Sequence, residues 1–136
     1  MTPDPARLLR RALSANAWIT AANGLVFVFA GHVLGPVFGL APAVLWVLGA
    51  GFLAFAAHAA AVARKDVISR GEALYFVIAD AGYVAASVIV LLGFPQVMTG
   101  LGRLFFAAAA DVVAILAVAE YAGLRRLTRT SKAATA

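Results

Sequence analysis

Residues 75–87 read YFVIADAGYVAAS, and the reading of Asp80 within that run decides the fold. A carboxylate sits in the middle of a segment otherwise composed for lipid. The segment extends over about 73–92, close to the ~20 residues a helix needs to cross ~30 Å of hydrocarbon. Three more runs of similar length and character lie at about 12–34, 42–63 and 101–124. A segment in hydrocarbon must satisfy its own backbone hydrogen bonds, which selects helices. The sequence therefore predicts an all-α, polytopic membrane protein, a four-transmembrane-helix bundle forming one domain over 1–136, with a flexible tail over 127–136.

Composition agrees with this reading. The chain has 136 residues, 64% hydrophobic and 12% charged, with mean hydropathy +0.96. Soluble domains average roughly 45–50% apolar and about 25% charged, so too little polar surface is available to coat a soluble globule. There are no cysteines, which excludes disulfides and thiolate metal sites. The first segment is longer than the apolar core of a signal peptide and lacks a small-residue cleavage site, so it reads as a span.

The joints carry their own signals. GPVFGLAP (35–42) holds two glycines and two prolines and reads as a tight turn rather than a helix-packing stripe. Ser69 and Glu72 have capping-box spacing at the start of the third helix. Thr99 is placed to cap the fourth, and Asp4-Pro5 to begin the first.

Of the 11 Lys and Arg residues, all but Arg103 fall on one side of a four-span layout. Arg10 and Arg11 precede the first helix, Arg64 and Lys65 follow the second, and Arg125 and Arg126 follow the fourth. The positive-inside rule then predicts both termini and the middle loop in the cytoplasm (N-in/C-in), in the inner (plasma) membrane. This basic face meets the lipid bilayer; no nucleic-acid motif accompanies it.

Helical spacing sorts the polar residues within the spans into faces. Asn16, Thr20 and Asn23 share one stripe. Phe76, Asp80, Tyr83 and Ser87 share another. His58 lies with Gly51, Ala54 and Ala61, and Asp111 with Ala107, Ala114 and Ile115. All four faces are expected to point inward, where small residues allow close approach and polar ones bond across the seam. At ~1.5 Å per residue, Asp80 lies ~15 Å beyond Arg70, Asn23 ~18 Å past Arg11 and Asp111 ~21 Å before Arg125. These three are expected to share a mid-membrane layer, with His58 nearer the cytoplasm at ~9 Å from Arg64. Glu120 is expected at the interface, beside Arg125 or the Arg7–Arg11 cluster.

An unpaired carboxylate at mid-bilayer costs at least ~2.5–3.5 kcal/mol, and the cores of the spans hold no Lys or Arg to offset it. Each acid must be protonated, hydrogen-bonded to Asn, Thr, Tyr or Ser, partnered by His58, or bound to a cation. His58 suits either proton shuttling or a neutral hydrogen bond. His32 and His58 lie toward opposite ends of the bundle and cannot share one haem iron. No metal-ligand spacing, catalytic triad or phosphate loop is present, so no cofactor and no enzyme activity is expected.

The layout RLLRRALSANAWITAANGLVFVFAG, with Arg10, Arg11 and Gly24, followed by three more spans, resembles bacterial DoxX-like proteins and similar small four-span membrane proteins. That resemblance implies an inner-membrane accessory subunit, in some cases linked to quinone redox complexes. Taken together, the expectation is a non-enzymatic accessory or structural membrane component with a polar core of Asn16, Asn23, His58, Asp80, Tyr83 and Asp111. A proton- or cation-coupled transporter acting as a homo-oligomer is the alternative, and a quinone-linked subunit of a larger membrane complex is a third.

Overall fold

Each break between helices sits where a local signal interrupts the backbone ladder. In the computed structural model, which describes residues 6–134, the helices are α1 (Arg7–Phe38), α2 (Pro42–Ala63), α3 (Arg70–Gly93) and α4 (Gly100–Ala134), with a 3₁₀ turn at Pro95–Val97. α1 ends at Gly39, whose left-handed φ of 77° lets its N–H turn back to the carbonyls of Gly35 and Pro36. α2 starts with Pro42 at its first position. Ser69 and Glu72 complete the predicted capping box on α3. Thr99 Oγ1 accepts from Gly102 N at 3.1 Å and donates to Val37 O at 2.7 Å, capping α4 and tying it to the end of α1.

All four helices are long and apolar enough to cross a membrane. The helices run further than the hydropathy suggests. α1 begins at Arg7, and α4 continues to Ala134 through residues expected to form a flexible tail. Polar, basic turns are compatible with helix once they leave the apolar zone, so hydropathy alone underestimates helix length. The proposed start at Asp4-Pro5 lies outside the described residues.

α1 is the centre of the packing. It lies against α2 and α4, and α4 in turn lies against α3. The α1–α2 seam is tight because it is built on glycine. A Cβ on Gly49 would stand 2.8 Å from Gly24 O, and one on Gly31 2.8 Å from the Trp46 ring. Gly35 is likewise buried against Leu40 O and Pro42. Gly35 and Gly39 thus serve the expected turn, while Gly31, one helical turn earlier, packs on α2; Pro36 leaves α1 helical to Phe38 because the ring sits at the helix end. By contrast, α2 and α3 keep their backbones apart and meet through rings: Phe55 with Phe76 (centroids 5.3 Å apart), His58 with Tyr75 (5.3 Å) and Phe52 with Tyr83 (5.8 Å).

Two apolar cores form at different heights. One, around Leu9, Leu13, Val62, Ala73 and Phe76, lies at the end carrying the basic residues. The other joins Phe27, Phe38, Leu45 and Phe106 at the opposite end. The outer surface is also apolar, with Trp18, Phe29, Val47, Ile115 and Val118 exposed.

Candidate functional site

Between the two cores lies the polar centre of the bundle. Asn16 on α1 is 1% exposed, Asp80 on α3 is 4% and Glu120 on α4 is 0%. Asn16 Nδ2 donates to Asp80 Oδ2 at 2.6 Å and to Glu120 Oε1 at 2.9 Å. Thr20 Oγ1 donates to Asn16 Oδ1 at 2.9 Å, one helical turn along, and so fixes which way the amide faces. The shared nitrogen holds the Asp80 and Glu120 carboxyls side by side. Glu120 Oε2 is buried without a donor. As two carboxylates, the pair would place two acceptors face to face; a proton on either one supplies the missing donor.

Of Asn16, Asp80 and Glu120, Asp80 alone lines a cavity of about 430 Å³. Its polar lining is Thr20, Asn23, Asp80 and Tyr83, and the rest is apolar and aromatic. Asn23 Nδ2 is occupied by Ile19 O at 3.0 Å within its own helix.

The structure brings together part of the set expected from the sequence. The Asn16–Thr20–Asn23 and Phe76–Asp80–Tyr83 faces do turn inward, Asn16 and Asp80 fully and Asn23 and Tyr83 partly. Asp111 does not. It is exposed on the outer face of α4, and its place in the cluster is taken by Glu120. The two lie nine residues apart on one helix, about 180° around the axis at 3.6 residues per turn, so only one can face the seam. His58 is also exposed, as are Gly51, Ala54 and Ala61 on the same face. α2 instead buries Leu45, Gly49, Ala56 and Ala59. α2 is apolar all round, so its phase is not marked by polarity, and the close contact is set by Gly49. The His58 ring rests on Tyr75 and Phe76 rather than on a carboxylate.

Glu120 is the residue the sequence reading misplaced. A signal was available: Phe106, Ala110, Leu116, Glu120 and Leu124 form the buried stripe of α4, and each of them lies four residues from a neighbour in the set. Its expected depth agrees with the structure, but its burial and its partner Asn16 do not; both Asn16 and Glu120 are five residues from an arginine, about 8 Å along the helix. The polar layer therefore sits toward the basic end.

At that end, Arg10 donates to Ala63 O at 3.2 Å, to Lys65 O, and to Asp66 O at 2.5 Å, closing the C-terminus of α2. Lys65 pairs with Glu72, and Arg125 lies over the Tyr121 ring at 5.9 Å. Arg10, Arg64, Lys65 and Arg125 thus gather around one rim of the bundle. Among the described residues, no group of three or more His, Asp or Glu side chains is placed to hold a metal ion. No protein-family model, curated protein or solved structure matches the chain.

Proposed function

We propose that the chain is a non-enzymatic, four-span inner-membrane protein with both termini in the cytoplasm, whose Asn16–Asp80–Glu120 cluster takes up and releases a proton. The membrane reading is supported by four helices of sufficient length and by an exterior rich in exposed Trp, Phe, Val and Ile. Orientation is supported by the basic rim around Arg10, Lys65 and Arg125, which the positive-inside rule puts in the cytoplasm. The proton site rests on one observation: two buried carboxyls bridged by one amide nitrogen, with Glu120 Oε2 lacking a donor. Like charges held this close in a low dielectric do not both ionise, so the pair retains a proton between them.

The test is infrared spectroscopy of the protein in lipid nanodiscs. The parent should show a carboxylic-acid C=O band that changes with pH and is altered in both Asp80→Asn and Glu120→Gln. A parent without such a band at any pH would overturn the proton site.

A second, structural reading is favoured by the same amide, since Asn16 joins α1, α3 and α4 at one point. A homo-oligomer or larger complex is supported by Asp111, a carboxylate left exposed in mid-helix. Facing lipid it would cost at least ~2.5–3.5 kcal/mol, and a neighbouring chain would relieve that. The quinone-linked role rests on the DoxX-like resemblance alone.

A further inference from the structure

With one proton between them, as proposed above, Asp80 and Glu120 carry one net negative charge at buried positions. The groups packed around that charge do not neutralise it. α1 presents Asn16 and Thr20; α3 itself adds Tyr83; α4 contributes Glu120 and, along the cavity, only alanines, valines and Phe105. α2 faces the cavity with Gly51, Phe52 and Phe55, and its nearest titratable group, His58, lies outside against Tyr75 and Phe76. The cavity lining contains no Lys or Arg, and Asp80 is its only charged member.

Around Asp80 stand the rings of Phe27, Phe52, Phe55, Tyr83 and Phe105. Aromatic faces attract cations, more strongly where water is excluded, and a buried carboxylate does so more strongly still. A cavity of about 430 Å³ falls within the ~300–1,000 Å³ typical of small-molecule sites. A hard metal cation requires six or more oxygen ligands in the case of calcium, and this lining offers mainly carbon. An uncharged lipophile would fill the space but leave the carboxylate unpaired.

We infer that the cavity is a binding site for a lipophilic organic monocation, held by the Asp80 carboxylate and the surrounding ring faces and admitted between α2 and α3. This rests on the proton-site reading and names its counter-ligand. The α2–α3 seam is the natural path because only rings bridge it there, Phe52 to Tyr83 and Phe55 to Phe76. Rotating those side chains opens the seam without disturbing the glycine-packed α1–α2 contact. Charge balance makes the cation and a proton competitors. With two protons the carboxyl pair is neutral; with one proton and a bound monocation the site is again neutral. Binding therefore takes the singly protonated pair as it stands, and it weakens as pH falls because a second proton neutralises the site.

The experiment uses full-length protein in nanodiscs, with tetraphenylphosphonium as probe, triphenylphosphine oxide as its neutral counterpart, and empty nanodiscs subtracted. Binding is followed by equilibrium dialysis across a pH series beside the infrared carboxyl band. The parent should bind the phosphonium, more tightly at higher pH, and Asp80→Asn should weaken binding about tenfold or more. The phosphine oxide should fail to displace it. Gly51→Leu provides a second variant that leaves the carboxyls intact. Gly51 lines the cavity and a Cβ there meets nothing within 4 Å, so the side chain should occupy the site, abolish binding and leave the carboxyl band titrating as in the parent. A parent that shows the titrating band but binds no phosphonium overturns the ligand assignment while the proton site stands. Binding unchanged in both variants, or equal displacement by the neutral compound, also overturns it. Absence of the band overturns the underlying proton site instead.

Discussion

Asp80 and Glu120 accept hydrogen bonds from the same nitrogen, Asn16 Nδ2, at 2.6 and 2.9 Å. One short side chain thereby joins three helices and holds two acids side by side. Amide geometry limits Asn16 to two donors, and both are spent here. Thr20 satisfies its oxygen from below. No neutral apolar residue can substitute without leaving both carboxyls short of a partner.

Asn16→Leu should therefore destabilise the bundle by about 1–3 kcal/mol, the range for stranding buried polar groups. Asn16→Gln should recover little of this, because the longer side chain enters a fully packed site. Reversible unfolding in mixed detergent–lipid bicelles measures both. A Leu variant as stable as the parent would remove Asn16 from its central role.

Asp111 behaves as a surface group of the single chain. Asp111→Leu should leave the carboxyl band of the Asp80–Glu120 pair unchanged. It should shift the oligomer population toward monomer, read by single-molecule photobleaching counts in nanodiscs. An unchanged oligomer distribution would dissociate Asp111 from assembly.

Two glycines separate tight packing from open space. A Cβ at Gly49 meets Gly24 O at 2.8 Å and Phe27 Cβ at 3.0 Å, whereas at Gly82 nothing lies within 4 Å. Gly49→Ala should cost about 1–3 kcal/mol through overpacking against backbone. Gly82→Ala should be neutral or stabilise by up to about 1 kcal/mol through helix propensity. The same bicelle unfolding assay compares them, and equal effects would contradict the close α1–α2 contact.

Ser69 Oγ accepts from Glu72 N at 3.2 Å, and Glu72 Oε2 accepts from Ser69 N at 3.1 Å. Ser69→Ala should lose about 0.5–2 kcal/mol, within the range for N-cap removal. The effect should be local, with faster amide exchange in the first turn of α3 and unchanged exchange around Asp80.

The helix count, the joints at Gly39, Ser69 and Thr99, and the inward faces of α1 and α3 were legible along the chain. On those helices polar residues recur at helical spacing among apolar ones, so the pattern itself marks the buried side. On α2 that signal fails. Its only polar side chain within the span, His58, sits on the exposed face, and the contact with α1 is chosen by the shape of Gly49. On α4 two acids compete for one seam, and hydropathy ranked the deeper one, Asp111, above the one that is buried.

Residue order alone determined how many long helices form and where α2, α3 and α4 begin, because backbone hydrogen bonding, capping and Gly-Pro breaks act within a few positions. Which acid meets Asp80 was decided only when α1, α3 and α4 came together. That choice depends on the rotation of α4 about its axis, and packing of Gly102 on Phe38 and Gly123 on Leu9 sets this rotation from both ends. Such contacts join residues distant in sequence, so no local pattern encodes them.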